Sequence, residues 1–375
     1  MIRIIHIITG LGSGGAENML YKLLKYSDKN LYYHEVISLM DEGVMGEKIK
    51  AEGIKIHSLN LCGKTIFKSL LKARNICKDF DIVNTWLYHA DIFGFIVGKI
   101  ILKKKLIWNI RHSNLDENEN KNRTLKIIKI NSLLSKQVDC ITYNSNKAFE
   151  THKEAGYLNE NSVIIPNGFE INKFKFDQSQ RRKIRKGFSI SEEEKVLITV
   201  GRWDIQKDYY TLLKALNELK KQNVNFKMMM VGTNLDSSNR ELEELVTKYN
   251  LKEDLFMLGR RTDIPELLSA ADVYVSTSLG ESFSNAIGEA MACELACIVT
   301  DVGDSRLIVG ETGVTVQAKD YISIASEIMN YLKLSKIARK SEARKRVIDH
   351  FEIQSVVKKV EEYIFNLLDY KFTSA

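Results

Sequence analysis

The sequence predicts an α/β protein of two doubly wound domains. Two observations carry this. Strand-like and helix-like runs alternate along the whole chain, the pattern of parallel strands joined by crossover helices. The alternation pauses at a turn-like sequence, Pro166-Asn167-Gly168-Phe169, and then restarts. The 375 residues are 44% apolar and 27% charged, enough for two separate cores.

The first series opens with a strand over 2–8, a helix over 17–26 and a strand over 34–40. A short helix over 47–52 and a strand over 55–59 follow. A helix over 66–79, a strand over 82–85 and a helix over 90–101 come next. A strand over 106–111, a helix over 124–136 and a strand over 140–144 continue it. A helix to about Ala155 and a strand over 162–165 close it. The second series reads strand 196–201, helix 210–222, strand 226–231, helix 241–249, strand 255–258 and helix 264–269. It ends with strand 273–276, helix 285–293, strand 297–300 and helix 321–334. A final helix is expected over about 354–370. The domain division expected is 1–166 and 167–353, with the C-terminal stretch 354–375 packing back on the first domain.

Composition narrows the function classes. Five cysteines without a Cys-x-x-Cys do not make a disulfide framework. Cys293 and Cys297 are four apart, but small buried side chains account for them better than a metal pair. These thiols suggest a reducing, cytoplasmic setting. The longest apolar segment, 92–102, is interrupted by Lys99 and too short to span a bilayer. Residues 1–11 mimic a leader faintly, but run straight into glycines and read as the first strand. The charge is uneven: residues 1–165 hold 24 Lys and Arg against 17 Asp and Glu, and the remainder balances. One half therefore faces an anionic partner. Nucleic acid is not expected, because no aromatic interleaving or recognition motif accompanies the basic residues.

Three motifs carry chemistry. The first strand ends in residues 9–17, TGLGSGGAE, in which Gly10, Gly12 and Gly15 spell Gly-x-Gly-x-x-Gly between a strand and a helix. With Asp41 as a ribose acid, this supports an NAD-dependent oxidoreductase. More broadly, glycines at a helix start let backbone approach a phosphate or sugar. The second motif, residues 200–208, VGRWDIQKD, places Arg202 and Lys207 after a strand, where two cations can neutralise a departing diphosphate. The third, residues 278–291, SLGESFSNAIGEAM, holds Glu281 in a loop and Glu289 one turn into a helix. The helix start, Phe283, Ser284, Asn285 and Ala286, offers N–H groups to a phosphate. Glu289 can accept hydrogen bonds from a vicinal diol. Chance produces a Glu pair at this spacing easily; the strand–loop–helix setting gives it meaning.

Taken in this order, the motifs resemble those of the family 4 retaining glycosyltransferases, the "glycosyl transferases group 1" class, over nearly the whole chain. The matching residues are Gly14 to Glu17, the turn Pro166 to Phe169 with Phe174, Gly201 and Arg202 with Lys207, Leu258 to Arg260, Glu281 to Glu289, and Asp301 to Gly303. The resemblance implies the GT-B architecture: two facing Rossmann-like domains with an interdomain cleft. It implies that Arg202 and Lys207 stabilise the leaving nucleotide diphosphate, and that Gly14, Gly15 and the N–H groups of 283–286 hold phosphate or sugar oxygens. Glu289 would bind the ribose, Glu281 and His112 would act beside the reacting sugar, and backbone at Arg260 would read the base. For His89, acceptor contact and packing of a helix start stand level. The sequence departs from the family after Cys293, where Glu294-Leu295-Ala296 replaces the usual Gly and Pro, and at Asp304-Ser305-Arg306.

The expectation is therefore a metal-independent enzyme without a cofactor. It would move a hexose or N-acetylhexosamine from a nucleotide-diphosphate sugar, UDP favoured, with retention. The acceptor would be a glycan or polyprenyl/lipid-linked glycan in bacterial surface polysaccharide or glycolipid synthesis. No Asp-x-Asp stands in a setting that suggests a metal. The basic stretch 122–136, with Leu125, Ile128 and Leu133 as an apolar stripe, and Lys103 to Lys105 are open to two readings. One is a core helix with a solvated basic face. The other is a peripheral contact with the anionic inner face of the cytoplasmic membrane. A non-catalytic sugar-nucleotide-binding protein is the third functional class, and donor turnover separates it from the transferase.

Overall fold

A computed structural model describes residues 1–116, 122–333 and 340–368. The expected ends of two helices, at Leu334 and Tyr370, lie outside these residues. The chain divides into two compact units, residues 1–168 with 353–375, and 169–352.

Unit 1 holds seven parallel strands: β1 (Ile2–Ile8), β2 (Tyr32–Ser38), β3 (Lys55–Ser58), β4 (Ile82–Trp86), β5 (Lys105–Ile110), β6 (Cys140–Tyr143) and β7 (Ser162–Ile164). Their order is β3-β2-β1-β4-β5-β6-β7, so the direction of winding reverses between β1 and β4. Strands such as Ile2–Ile8 are buried on both faces, which is why they read as continuous apolar runs. Unit 2 holds β8 (Val196–Val200), β9 (Lys227–Val231), β10 (Leu255–Met257), β11 (Val273–Ser276), β12 (Ala296–Thr300) and β13 (Val314–Val316). Their order is β10-β9-β8-β11-β12-β13, with the reversal between β8 and β11. In doubly wound sheets the loops leaving two such strands diverge and open a ligand crevice at the carboxyl ends.

Besides short 3₁₀ turns, the elements not expected from the sequence are the helices Gln178–Gly187, Ser305–Val309 and Ser341–Phe351, and β13. Helix Gln178–Gly187 has almost no apolar face. It is held by arginines instead: Arg181 and Arg185 both bind the Asp272 carboxylate, at 2.9 and 2.7 Å. Helix Ser341–Phe351 buries Ala343, Val347 and Phe351, a stripe of every fourth residue hidden among charges. The expected helix over 90–101 begins earlier, at Tyr88, and changes to π-helical turns over Phe95–Ile101.

The turn at Pro166 has a steric basis on each side. A Cβ on Gly168 would lie 2.8 Å from the Ile353 Cα, so the start of the last helix requires glycine there. Phe169 is fully buried in unit 2, its ring against Gly288 and stacked near Phe283 at 6.1 Å. Within unit 1 the last helix, Ile353–Leu367, is tied to the sheet by a buried relay. Trp86 Nε1, which can only donate, reaches His6 Nδ1 at 3.2 Å. That fixes the remaining directions: His6 Nε2 donates to His34 Nδ1 (3.0 Å), His34 Nε2 to Ser27 Oγ (2.8 Å), and Ser27 to Glu361 Oε1 (2.6 Å). Both imidazoles are thereby neutral. Burial pushes the His34 pKa down to about 4 and that of His6 well below its usual value.

Candidate functional site

The site in unit 2 forms where β8 and β11 part. After β8 the chain makes Gly201 to Asp204, a 3₁₀ turn over Ile205–Lys207, and then helix Tyr209–Lys221. Asp208 adopts a left-handed conformation (φ 45°) and caps that helix, its carboxylate accepting the Thr211 N–H at 3.2 Å. After β11 come Thr277 to Ser284 and helix Asn285–Ala292. The two loops are stitched together. Thr277 Oγ1 donates to the carbonyls of Lys207 (3.0 Å) and Asp208 (2.9 Å), and Leu279 N–H to that of Gln206 (2.8 Å).

These bonds bring the Lys207 ammonium onto Glu281 Oε1, which also accepts the Ser278 hydroxyl at 2.8 Å. Both partners are mostly buried, with side chains 23% and 13% exposed. Glu289 lies nearby: the hydroxyl of buried Tyr274 is held above its ordinary pKa by burial first, and then by Glu281, Tyr209, Cys297 and Glu289. The loop after β12 presses on the same place. Gly303 has φ +56°, and a Cβ there would run into the Glu281 carbonyl oxygen. Phe283 and Ser284 are buried; Asn285, Ala286 and Glu289 are half-buried. Ser284 makes no side-chain capping bond to its helix.

Arg202 has a different partner from Lys207. Its Nε binds Asp204 at 2.8 Å, and its side chain is 68% exposed. The loops after β8, β9 and β10 interlock through glycines: Gly201 N–H donates to the Val231 carbonyl, and Gly232 N–H to that of Gly259 (2.8 Å). Arg260, directly after Gly259, is exposed. Cys293 and Cys297 are buried; the Cys297 thiol bonds the Leu295 carbonyl, and burial raises its pKa. Among the described residues no three His, Cys, Asp or Glu side chains cluster as metal ligands would.

In unit 1 the corresponding crevice lies between β1 and β4. Residues Gly12 to Gly15 are exposed, and Gly14 precedes helix Gly15–Tyr26 as its cap residue. Asp41 is spent locally: its Oδ1 accepts the Gly43 N–H at 3.2 Å. After β4, Leu87 has φ +74°, a strained conformation for a branched residue, and it starts helix Tyr88–Gly94. His89 is half-buried, its pKa lowered by burial and then by Arg123. His112 is exposed after β5. Its neighbour Arg111, absent from the sequence-based candidates, is the more constrained residue. It stacks 5.0 Å over the Trp86 ring, donates to Asn167 Oδ1 at 2.6 Å, and is pushed down to about 9 by burial. No spacing in the chain links Arg111 to Trp86, which lies on the adjacent strand.

Helix Asn122–Leu134 corrects one expectation. Leu125 and Ile128 pack inward as expected, but Leu133 is 75% exposed, because the inward positions of the next turn go to Asn131 and Ser132. Lys99 and Lys105 bind Asp139, at 2.5 and 3.7 Å.

The two parallel-sheet Rossmann-like units match the GT-B fold. Anabaena HepE, solved in complex with UDP and glucose, superposes with a TM-score of 0.85 at 20% identity, over 98% of this chain and 100% of that one. Family models match both halves: "Glycosyltransferase Family 4" over residues 13–173 and "Glycosyl transferases group 1" over 180–349. The chain belongs to the family 4, group 1 glycosyltransferases. A Campylobacter jejuni relative, N-acetylgalactosamine-N,N'-diacetylbacillosaminyl-diphospho-undecaprenol 4-alpha-N-acetylgalactosaminyltransferase, is 25% identical over 92% of this chain and 95% of its own. The N-acetyl-alpha-D-glucosaminyl L-malate synthase of Bacillus anthracis is 28% identical over 52% of this chain, which spans about half that relative's length (51%). Family membership replaces the oxidoreductase reading of the first glycine loop.

Proposed function

We propose that the protein transfers a hexosyl or N-acetylhexosaminyl group from a UDP-sugar to a lipid-linked glycan in bacterial surface polysaccharide synthesis. The observation that carries this reading is the Lys207–Glu281 pair at the β8/β11 switch point, beside the start of helix Asn285–Ala292. A diphosphate entering there meets Lys207 and the positive end of that helix. Lys207 then shifts its charge from Glu281 to the leaving group, and Glu281 is released toward the sugar. Glu289 accepts the ribose hydroxyls, and Arg202 exchanges Asp204 for phosphate. Lys207, Arg202 and the helix start together supply the charge stabilisation for which other transferases use a metal.

A UDP donor is supported by the complex in which HepE was solved, and a lipid-linked acceptor by the diphospho-undecaprenol substrate in the Campylobacter relative's name. The Gly14–Gly15 loop, His112 and His89 belong to the acceptor and sugar side. In this reading the anomeric configuration is retained by same-face attack, with Glu281 contacting the donor sugar once Lys207 has turned to the diphosphate. Incubation with UDP-sugars in the presence of EDTA tests the donor, and NMR of the first product tests the stereochemistry. Turnover of a UDP-hexose or UDP-N-acetylhexosamine to an axial-retained product is expected. An inverted product, or loss of turnover restored only by a divalent metal, would remove those parts of the reading.

A further inference from the structure

Four helical segments of unit 1 cover one face of its sheet; three of them are Ile66–Cys77, the run from Tyr88 to Ile101, and Asn122–Leu134, and the fourth, Asn146–Glu154, carries Glu150 and Glu154. They share one core, to which Ala73, Phe95, Val97 and Ile128 contribute. Neighbours among the first three pack directly on each other. The opposite face is covered by helices Gly15–Tyr26, Gly46–Ala51 and Ile353–Leu367, which pack in a different core.

The outer surface of the first layer combines two properties. Residues 60–78, 95–105 and 122–136 contain 13 Lys and Arg and no Asp or Glu. The same segments expose Ile66, Phe67, Leu71, Ile100, Ile101, Ile130 and Leu133. That is seven of the eighteen large exposed apolar side chains among the described residues, gathered on one layer. Phe67 and Leu133 are each 75% exposed. By contrast, the helices of the opposite face carry Glu17, Glu47, Glu361 and Glu362.

A merely solvated basic face has no reason to gather Phe and Leu side chains at up to 75% exposure. A protein–protein interface is depleted in lysine, whereas this layer is rich in it. Large apolar side chains set among an excess of cations, of which Lys99 and Lys105 pair with Asp139, match the headgroup boundary of an anionic bilayer. The apolar tips enter the interface and the ammonium groups meet phosphate. We propose that this helical layer of unit 1 docks on an anionic lipid surface, with Phe67 and Leu71 entering and Lys68, Lys72, Lys126 and Lys129 supplying the charge. The proposal rests on the lipid-linked acceptor reading and says where such an acceptor would be met. No helix among the described residues is long and apolar enough to cross a membrane, so attachment here is peripheral.

The test is flotation of the full chain with vesicles of phosphatidylglycerol and phosphatidylcholine, and with phosphatidylcholine alone. Phe67→Ser/Leu71→Ser and Lys68→Gln/Lys72→Gln are compared with wild type, and the UDP thermal shift is read on every protein. The substituted side chains are exposed, so the core is left intact. Wild type is expected to float with the anionic vesicles only. Each lysine removed should lower partitioning about fivefold at low salt, and the apolar pair should lower it further, all with the UDP shift unchanged. Wild type that fails to float while keeping its UDP shift overturns the surface and leaves the donor reading standing. Flotation indifferent to both variants overturns it as well. A dimer in sedimentation that Phe67→Ser/Leu71→Ser dissolves would assign the layer to a second copy instead. Loss of any UDP shift in wild type would strike the transferase reading, not the surface.

Discussion

The two units repeat one topology and finish their switch points in opposite ways. At β8/β11 the diverging loops are cross-linked by Thr277, Leu279 and the Lys207–Glu281 pair, and Gly303 lets a third loop press on them. At β1/β4 the loop Gly12 to Gly15 is exposed glycine backbone, and the facing loop begins with strained Leu87. A doubly wound sheet supplies the crevice in either case. Side-chain cross-links decide whether it is a preset cradle or an open approach. A cradle suits a ligand whose charge must be met at fixed points, as a diphosphate's must. An open glycine loop suits a bulky, variable acceptor.

Breaking the cradle should have the largest effect. Lys207→Ala is expected to lower transfer by about 10²–10³-fold, the usual loss for one preorganised charge-stabilising donor. The matching change in unit 1, Gly15→Val, should impair transfer with the UDP thermal shift unchanged. If Lys207→Ala and Gly15→Val weaken UDP equally, the two switch points do not divide the work.

Acid should separate the units next. Six of the seven histidines lie in unit 1, and burial holds both His34 and His152 down to about 4. Between their ordinary value of 6.5 and about 4, the unfolded chain binds protons that the folded imidazoles refuse. Stability is therefore full above pH 6.5 and falls as pH drops toward 4, by up to about 3 kcal/mol per histidine. Asp91 acts in the opposite sense: burial raises its pKa well above 3.8, so the folded state keeps a proton there. With His6 added, the imidazoles outnumber it. Amide hydrogen exchange should show unit 1 loosening first as pH falls through this window, while unit 2 keeps its protection.

Smaller effects sharpen the picture. Gly303→Ala should cost about 1–3 kcal/mol, from the left-handed backbone and the collision with the Glu281 carbonyl. It should also lower transfer by displacing the Glu281 loop, readable as a fall in both Tm and turnover. Glu289→Ala should weaken UDP binding by about 1.5–3 kcal/mol, the worth of hydrogen bonds to a charged group. Calorimetry would read it directly, and the effect should vanish with 2′,3′-dideoxy-UDP.

Much of this architecture was legible in the chain because parallel strands buried on both faces leave plain apolar runs, and short loops punctuate them. Helix Gln178–Gly187 was not, since Arg185 occupies the place of a core side chain by binding Asp272 and the Ala270 carbonyl. Leu133 misled because a helical stripe read from spacing cannot tell that Asn131 will face inward, where it binds the Tyr88 carbonyl at 3.0 Å. Within the candidate site, Lys207, Glu281 and Glu289 stood out through local motifs. The Lys207–Glu281 pairing spans 74 residues and exists only because β8 and β11 are neighbours. Arg111 was invisible for the same reason, its partners being Trp86 and Asn167.

The most direct measurement is calorimetric titration of wild type and Lys207→Ala with UDP, GDP, ADP and NAD. Binding of UDP to wild type, at least tenfold weaker in Lys207→Ala by the loss of a charge-assisted contact, is the predicted result. Binding of NAD alone, or of UDP with unchanged affinity in Lys207→Ala, would contradict the assignment of the β8/β11 switch point as the nucleotide cradle.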